Sequence, residues 1–309
     1  MTRKKSGRRG RIIHSHWRVL ACPAGFVFLR SIFLTWMEVS GYAARMPSDS
    51  LDDSRVYELW DELADLPLVE TRRSIELLFE RVAGWIGADN AFWVGTVRVR
   101  DDPDAAKDIL YGWRLRAAER WLPPTAQCQD QIRQVLAHME RDPGISTQAV
   151  IREAGRFRSC RLRDGFIDFK AFRRTEQYKM YFEKAGITDR IWCVFPVNPD
   201  AESLFCFDRH HRRSRFTARH EAVAAHTLRG IKWFHRQLLL NHGLLVGTTP
   251  LSPAHRRLLA QLLSGKPEKE IAGTLGLSHA TTHKYVTDIY RSFNVTNRTA
   301  LVTLWMGGA

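Results

Sequence analysis

The feature that most constrains the fold of this chain is a series of four short helical patterns in residues 250–309. Each pattern starts at a residue that favours a helix N-terminus and stops at one that favours a C-terminus. These boundary residues are Ser252, Pro253, Gly265, Pro267, Gly276, Ser278, Asn294 and Asn297. Only Gly276-Leu277-Ser278 separates the second helix from the third. Two short helices joined by a tight turn containing Gly form a helix-turn-helix, so the sequence predicts an all-α, four-helix domain of this kind.

The third predicted helix has two distinct faces. At 3.6 residues per turn, the apolar face, which we expect to pack inward, consists of Thr282, Val286, Ile289 and Phe293. The outward face consists of Ala280, Lys284, Thr287 and Arg291, with His283 beside it. A helix of this width fits the DNA major groove, where Lys donates to guanine and a Thr methyl contacts thymine.

A set of residues in register over residues 251–298 carries a resemblance to a known family. The set is Leu251, Pro253, Leu259, Gly265, Lys269, Glu270, Ile271, Ala272, Leu275, Ser278, Thr281, Val286, Ile289, Tyr290, Val295 and Arg298. With this set, the segment resembles the LuxR/GerE-type DNA-binding domain. The resemblance implies a transcription regulator whose partner is double-stranded DNA.

The resemblance also implies roles for individual side chains. The family's base-contacting positions correspond to His283, Lys284 and Thr287, in agreement with the outward face of the third helix. Contacts to the DNA backbone, which fix the register of the protein on the duplex, are expected from Lys269, Thr281, Tyr285, Arg291 and Arg298.

The chain departs from the family pattern at three places. His255 stands where the family usually has Glu, and Ser292-Phe293-Asn294 replaces the usual Lys-Leu-Gly. Thr281-Thr282-His283-Lys284-Tyr285 replaces the usual Thr-Val-Lys-x-His. The last change falls on the outward face, so the resemblance does not predict which DNA sequence is bound.

Basic residues are concentrated at both ends of the chain, which has a net charge of +14. Residues 1–46 hold nine Lys and Arg against a single acid, Glu38, and residues 250–309 hold seven against three acids. Clustered positive charge of this kind favours a polyanionic partner such as nucleic acid.

Residues 1–46 admit three interpretations: a basic arm that contacts DNA or a membrane, a targeting peptide, or an extension that is disordered or not translated. Arg30 divides the apolar part of the segment, which argues against a targeting peptide. The sequence from Met46 onward resembles an ordinary protein N-terminus, so we favour the third interpretation. The apolar stretch from Val19 to Val39 is also broken by polar residues and is a poor membrane span.

Residues 50–245 are expected to form an α+β sensory and dimerisation domain with an antiparallel sheet. The patterns predict a helix over 74–87, a strand over 91–99, helices near 126–140 and 170–185, paired strands over 191–197 and 203–207, and one long helix over 217–241. This element order resembles the GAF/PAS-like class of sensory domains. A receiver domain and an acyl-homoserine-lactone-binding domain compete with it, although Asp102-Pro103 lies before Trp113 instead of after a Trp/Tyr run.

No pattern in the chain points to catalysis, a metal or a cofactor. Nucleophile elbows, phosphate loops and H-E-x-x-H helices are absent, and His210, His211, His220, His226, His235 and His242 lack metal-ligand spacing. The five cysteines, Cys22, Cys128, Cys160, Cys193 and Cys206, form no C-x-x-C pair, which fits a reducing cytoplasm. Candidate contacts to a small-molecule effector are Trp113, Trp121, Tyr178 and Tyr181.

The sequence therefore predicts a cytoplasmic, non-enzymatic transcription regulator in which residues 50–245 control a helix-turn-helix in residues 250–309. The long helix is expected to pair two copies of the chain through Val223, Leu228, Ile231, Phe234 and Leu238. Two alternatives stay open. In one, the helix-turn-helix docks a protein such as RNA polymerase; in the other, an enzymatic middle domain uses it for targeting.

Overall fold

The structure, a computed structural model, describes residues 53–67, 70–100, 108–122, 142–210 and 214–307. The predictions for residues 1–46, for a helix near 126–140, and for Asp102-Pro103, Cys22, Cys128 and His211 lie outside these residues. These described residues form one compact unit. Within the described residues, no helix has the length and hydropathy needed to cross a bilayer.

Among the described residues, five antiparallel strands form one sheet in the order β2-β1-β5-β4-β3. The strands are β1 (Asn90–Arg98), β2 (Trp113–Arg120), β3 (Arg158–Arg161), β4 (Ile187–Asn198) and β5 (Ala201–His210). The predicted first strand and the predicted pair of strands are confirmed as β1, β4 and β5. The tight turn between β4 and β5 is closed by the Asn198 side chain, which accepts a hydrogen bond from the Asp200 amide at 2.8 Å.

Helices precede, cover and follow this sheet. In the N-terminal region they are α1 (Asp53–Asp65), α2 (Thr71–Ile86), α3 (Gly144–Arg152), α4 (Phe169–Phe172), α5 (Glu176–Tyr178), a π-helix (Lys179–Glu183), α6 (Ala218–Arg229) and α7 (Lys232–Asn241). In the C-terminal region they are α8 (Pro253–Leu263), α9 (Glu268–Leu275), α10 (His279–Ser292) and α11 (Arg298–Trp305). The predicted α+β fold followed by four helices is therefore confirmed.

Alternate residues of the strands face two different layers, as the period of two requires. Ala91, Trp93 and Val97 of β1 and Phe205 and Phe207 of β5 are buried on the side of α2, α6 and α7. The other face carries a second apolar cluster, which includes Phe172, Phe182 and Trp192 from α4, the π-helix and β4. Both faces of the central strands are thus covered.

The prediction of one long helix over 217–241 is wrong, because the chain breaks between α6 and α7 at Gly230 and Ile231. The Trp60 ring lies against Gly230, where an added Cβ would be 2.2 Å from two ring carbons. Trp60 Nε1 also donates a hydrogen bond to the Thr227 carbonyl, 3.0 Å away. Because the helix breaks here, the Trp60 side chain of α1 can pack against Gly230.

The prediction that this stretch presents an apolar face to a second copy of the chain is also wrong, because the side chains of that face are buried within this chain. Val223 is 5% exposed, and Leu228, Ile231, Phe234 and Leu238 are 1% exposed or less. The apolar stripe of α6 and α7 packs on the sheet, and a second copy cannot reach it.

His235 of α7 is a core histidine held on both ring nitrogens. Nε2 lies 2.8 Å from the Leu228 carbonyl, which only accepts, so Nε2 carries the proton. Nδ1 accepts from Ser203 Oγ at 2.8 Å, and Ser203 Oγ in turn accepts from Trp93 Nε1 at 2.7 Å. Burial lowers the pKa of His235 to about 4, so this side chain is neutral and structural.

We expect Gly230→Ala to destabilise the protein by about 1–3 kcal/mol, because the new methyl group overlaps the Trp60 ring. The matched control is Gly84→Ala in α2, where no atom lies within 4 Å of the added Cβ. This control should be neutral or stabilising by up to about 1 kcal/mol. Urea denaturation of both variants measures the difference, and equal stabilities would contradict the role of Trp60.

We expect the free energy of unfolding to fall by about 2 kcal/mol between pH 7.5 and pH 5 because of His235. The lowered pKa means that the unfolded chain takes up a proton below about pH 6.5, whereas the folded protein resists until about pH 4. Urea denaturation at several pH values measures this slope. His235→Gln should flatten it, and His226→Gln, at a half-buried position, should not; the same slope in both variants would exclude His235 as the cause.

Candidate DNA-contacting surface and ligand cavity

Local sequence sets the geometry of the helix-turn-helix formed by α9 and α10. Gly276 ends α9 in the left-handed conformation at φ +64°, which a residue without a Cβ adopts at little cost. Ser278 then caps α10, and its Oγ accepts from the Thr281 amide at 3.1 Å. The predicted inward face is confirmed, since Thr282, Val286, Ile289 and Phe293 are at most 2% exposed.

The predicted base-contacting side chains share the exposed face of α10. His283, Lys284 and Thr287 are all exposed. His283 Nδ1 lies 3.1 Å from Glu268 Oε2 of α9, which limits the positions that the ring occupies. This face presents a cation, a hydroxyl and an imidazole on one helix.

The predicted backbone-contacting residues differ more in their surroundings. Lys269 and Arg291 are exposed, and Arg291 pairs with Asp288 at 3.0 Å. Tyr285 is half-buried with its ring 4.8 Å from that of His255, the residue that replaces the usual Glu. Thr281 Oγ1 is 2.8 Å from Ser278 Oγ.

Arg298 has a structural role that the sequence did not reveal. Its Nη1 donates to the Gly265 carbonyl at 2.9 Å, and its Nη2 donates to the Lys266 carbonyl at 2.7 Å. These bonds tie the first turn of α11 to the loop between α8 and α9.

A polar joint connects the sheet to the first helix of the C-terminal region. Glu119 of β2 lies 2.9 Å from His242 Nε2 and 2.7 Å from Arg256 Nη1 of α8. Arg72 of α2 is 3.5 Å from the other carboxylate oxygen. Burial alone would raise the pKa of Glu119, but the hydrogen bonds from His242 and Arg256 outweigh it and lower the pKa to about 2.

Helix α7 strengthens this connection. Asn241 Oδ1 accepts from Trp305 Nε1 at 3.1 Å, and Arg236 Nη2 donates to the Leu304 carbonyl at 2.8 Å. Leu240 belongs to the apolar core of α8 to α11. The C-terminal helices are thus fixed to the sheet through α7 and β2.

A cavity of about 1210 Å³ lies on the sheet face opposite α2, α6 and α7. Its floor is formed by side chains of β1, β2, β4 and β5, and α3 and the π-helix contribute to its walls. The volume exceeds the range of roughly 300–1,000 Å³ that is usual for pockets holding drug-sized molecules.

Two of the four predicted effector contacts line this cavity, Trp113 and Tyr181. Burial raises the pKa of Tyr181 to about 12, so its phenol stays protonated. The other two are not among the lining residues: Tyr178 packs in the apolar cluster, stacked on Phe182 with ring centroids 5.7 Å apart, and Trp121 follows β2.

Two buried ion pairs on the cavity floor were not predicted. Arg158 donates twice to Glu202, at 2.8 and 2.9 Å, and Arg190 donates twice to Asp208, at 2.5 and 2.8 Å. The signal was present, because Glu202 and Asp208 interrupt the apolar strand β5 at positions of the same parity. Charged residues on one face of a strand buried on both sides indicate a polar site.

Among the described residues, no three His, Cys, Asp or Glu side chains come together as a metal site. Cys193 and Cys206 are buried free thiols, and desolvation raises the pKa of both well above the usual value. These thiols are therefore poor nucleophiles and act as small core residues.

The geometry of α8 to α11 defines a helix-turn-helix domain of the kind that binds DNA. Residues 249–305 match the GerE family, described as bacterial regulatory proteins, luxR family. The C-terminal part of the chain is therefore a luxR-family domain, as the sequence predicted.

Comparison with solved structures finds matches at low sequence identity. Escherichia coli SdiA is 15% identical, with 81% of this chain and 94% of that chain covered and a TM-score of 0.38. SdiA in complex with octanoyl-rac-glycerol is 14% identical, with coverages of 92% and 95% and a TM-score of 0.34. The VqsR LBD domain from Pseudomonas aeruginosa is 15% identical, with coverages of 61% and 96% and a TM-score of 0.39. No curated protein matches the chain.

We expect Arg256→Met to raise the pKa of Glu119 from about 2 towards its usual value, because a major hydrogen-bond donor is lost. A lowered carboxylate pKa stabilises the protein above about pH 4.5, and this stabilisation is lost as the pH falls towards 2. The variant should therefore lose less stability than the wild type over that range. An NMR titration of the Glu119 carboxyl carbon measures the shift. Arg257→Met, the exposed neighbour, is the control, and a Glu119 pKa unchanged in both variants would contradict the joint.

Proposed function

We propose that the chain is a sequence-specific DNA-binding transcription regulator with a sensory domain at residues 50–245 and a DNA-binding domain at residues 250–309. The observation that carries this proposal is the exposed face of α10, with His283, Lys284 and Thr287 on a scaffold that matches the luxR family. In this proposal these three side chains contact bases, whereas Lys269, Thr281, Tyr285, Arg291 and Arg298 contact phosphates.

The structure supports a route from the cavity to the DNA-binding helices. Strand β2 lines the cavity with Arg114 and Arg120 and holds Arg256 of α8 through Glu119. A small molecule in the cavity that displaces β2 therefore acts directly on the orientation of α8. We propose that an effector uses this route in the cytoplasm.

The regulator is proposed to act as a homodimer, with two copies of α10 in adjacent major grooves about one helical turn apart. The face formed by α6 and α7 is not available for pairing, because it packs on the sheet. We therefore expect the DNA sequence that the dimer binds to be two-fold symmetric.

Selection from fragmented genomic DNA with the purified chain tests the proposal. The wild type should enrich a two-fold symmetric motif, and the Lys284→Ala, Thr287→Ala variant should lose it, since a good base contact contributes about 1–3 kcal/mol of discrimination. The control with the same charge change is Lys184→Ala, Thr299→Ala, both at exposed positions away from α10. This control should enrich the same motif as the wild type.

Binding measured over a range of salt concentrations separates DNA recognition from protein docking. Binding through several phosphates must weaken steeply with salt. Motif-free binding that is equal in the wild type and the α10 variant would contradict sequence recognition. Negligible DNA binding with retained binding to RNA polymerase would replace the proposal with a docking role.

A further inference from the structure

The cavity floor changes from polar to apolar along the strands. Asn90, Asp208 and Arg190 are register partners in one row across β1, β5 and β4, and all three line the cavity. The next rows on the same face are Phe92, Cys206 and Trp192, and then Val94, Leu204 and Val194. Since two residues along a strand span about 7 Å, a molecule lying along the floor meets a polar row followed directly by apolar ones.

Arg190 in the polar row has hydrogen-bonding capacity that the protein leaves unused. Its Nε and Nη2 donate to Asp208, and its side chain is only 12% exposed. Among the described residues, no atom accepts a hydrogen bond from Nη1. The guanidinium carbon lies 4.6 Å from the Phe182 ring centroid and 4.9 Å from that of Phe92. A donor in the cavity lining that has no protein acceptor is available to an oxygen of a ligand.

The amide of Asn90 adds a second group to this row. Its Oδ1 is buried and has no hydrogen-bond partner. Because the two ends of an amide are interchangeable by rotation, Asn90 presents either Oδ1 or Nδ2 to the cavity. The polar row therefore offers donors from two residues at one place on the floor.

The charge of the lining favours an anion. Five arginines and three carboxylates line the cavity. Each carboxylate is paired with an arginine: Asp108 with Arg114, Glu202 with Arg158 and Asp208 with Arg190. The lining thus holds more arginines than carboxylates, which favours an anionic ligand over a cationic one.

We propose that the cavity takes an amphipathic carboxylic acid, with its carboxylate at Arg190 and Asn90 and its apolar chain over Phe92, Trp192 and Val194. This inference rests on the proposed function, in which the cavity holds the effector. Arg190 is then the residue that selects an anionic head group, and the apolar rows select a chain.

Isothermal titration calorimetry with three probes that share one chain length tests the head group. The probes are decanoate, decanamide and decyltrimethylammonium, each below its micelle concentration at pH 7.5. Decanoate should bind at least tenfold more tightly than decanamide, and decyltrimethylammonium should not bind. Two results with the wild-type protein would each overturn the proposal. One is equal affinity for decanoate and decanamide, and the other is no binding of decanoate.

Two double variants test the position of the head group. Arg190→Gln, Asp208→Asn removes the charged pair but keeps two polar side chains, and it should weaken decanoate binding at least tenfold while changing decanamide binding less than threefold. The matched control is Arg161→Gln, Glu221→Gln, which removes a partly buried ion pair that does not line the cavity and should keep decanoate affinity within threefold of the wild type. Thermal melting establishes that both variants are folded. Undiminished decanoate binding by the first variant would assign the head group elsewhere.

The selection experiment on genomic DNA separates the two proposals. A DNA motif enriched by a protein that does not bind decanoate would leave the regulator in place and reject the carboxylic acid. Decanoate binding as expected, with no DNA motif under any condition, would reject the regulator and keep the ligand site.

Discussion

Strands β4 and β5 are covered on both faces. Because their side chains alternate, each residue points either to the structural core or to the cavity. Ser203, Phe205 and Phe207 point to the helices that form the structural core. Glu202, Leu204, Cys206 and Asp208 point to the cavity. A shift of register by one residue would place the carboxylates in the core and Phe205 and Phe207 in the cavity, so the hairpin fixes the fold and the cavity together.

The same alternation on β2 accounts for the connection between the two regions. Arg120 faces the cavity, whereas the adjacent Glu119 points to the opposite side and meets His242 and Arg256. Ion pairs at a surface contribute little, but Glu119 is only 17% exposed and accepts hydrogen bonds from two groups. Among the described residues, β2 is an edge strand of the sheet and pairs with β1.

Much of this architecture was predictable because it follows local rules. The helix ending at Gly87, the hairpin strands and the helices around the Gly276 turn all have clear periodicity and capping residues. Strand β2 was missed because Arg114, Arg116 and Glu119 give it little apolar character, and β3 was missed because it is only four residues long. Their pairing depends on neighbours distant in sequence, which a local pattern does not contain.

The candidate sites were also predictable only where a local sequence pattern defines them. The outward face of α10 followed from the helical period, whereas the cavity needed Asn90, Arg190 and Asp208 to be brought together from three strands. Aromatic residues alone were a poor guide, since Tyr178 lies in a packed cluster and Trp113 in the lining. For Arg298, predicted to contact the DNA backbone, the structure adds that its guanidinium donates to two carbonyls of its own domain.

The contact between Trp60 and Gly230 has a consequence for how sequences of this fold diverge. A larger residue at position 230 fits only if position 60 becomes smaller, although the two positions are separated by most of the N-terminal region. Relatives that keep a large aromatic residue in α1 should keep Gly after α6, and relatives that lose one should be free to lose the other. Those with neither are the sequences in which α6 and α7 can run on as one continuous helix.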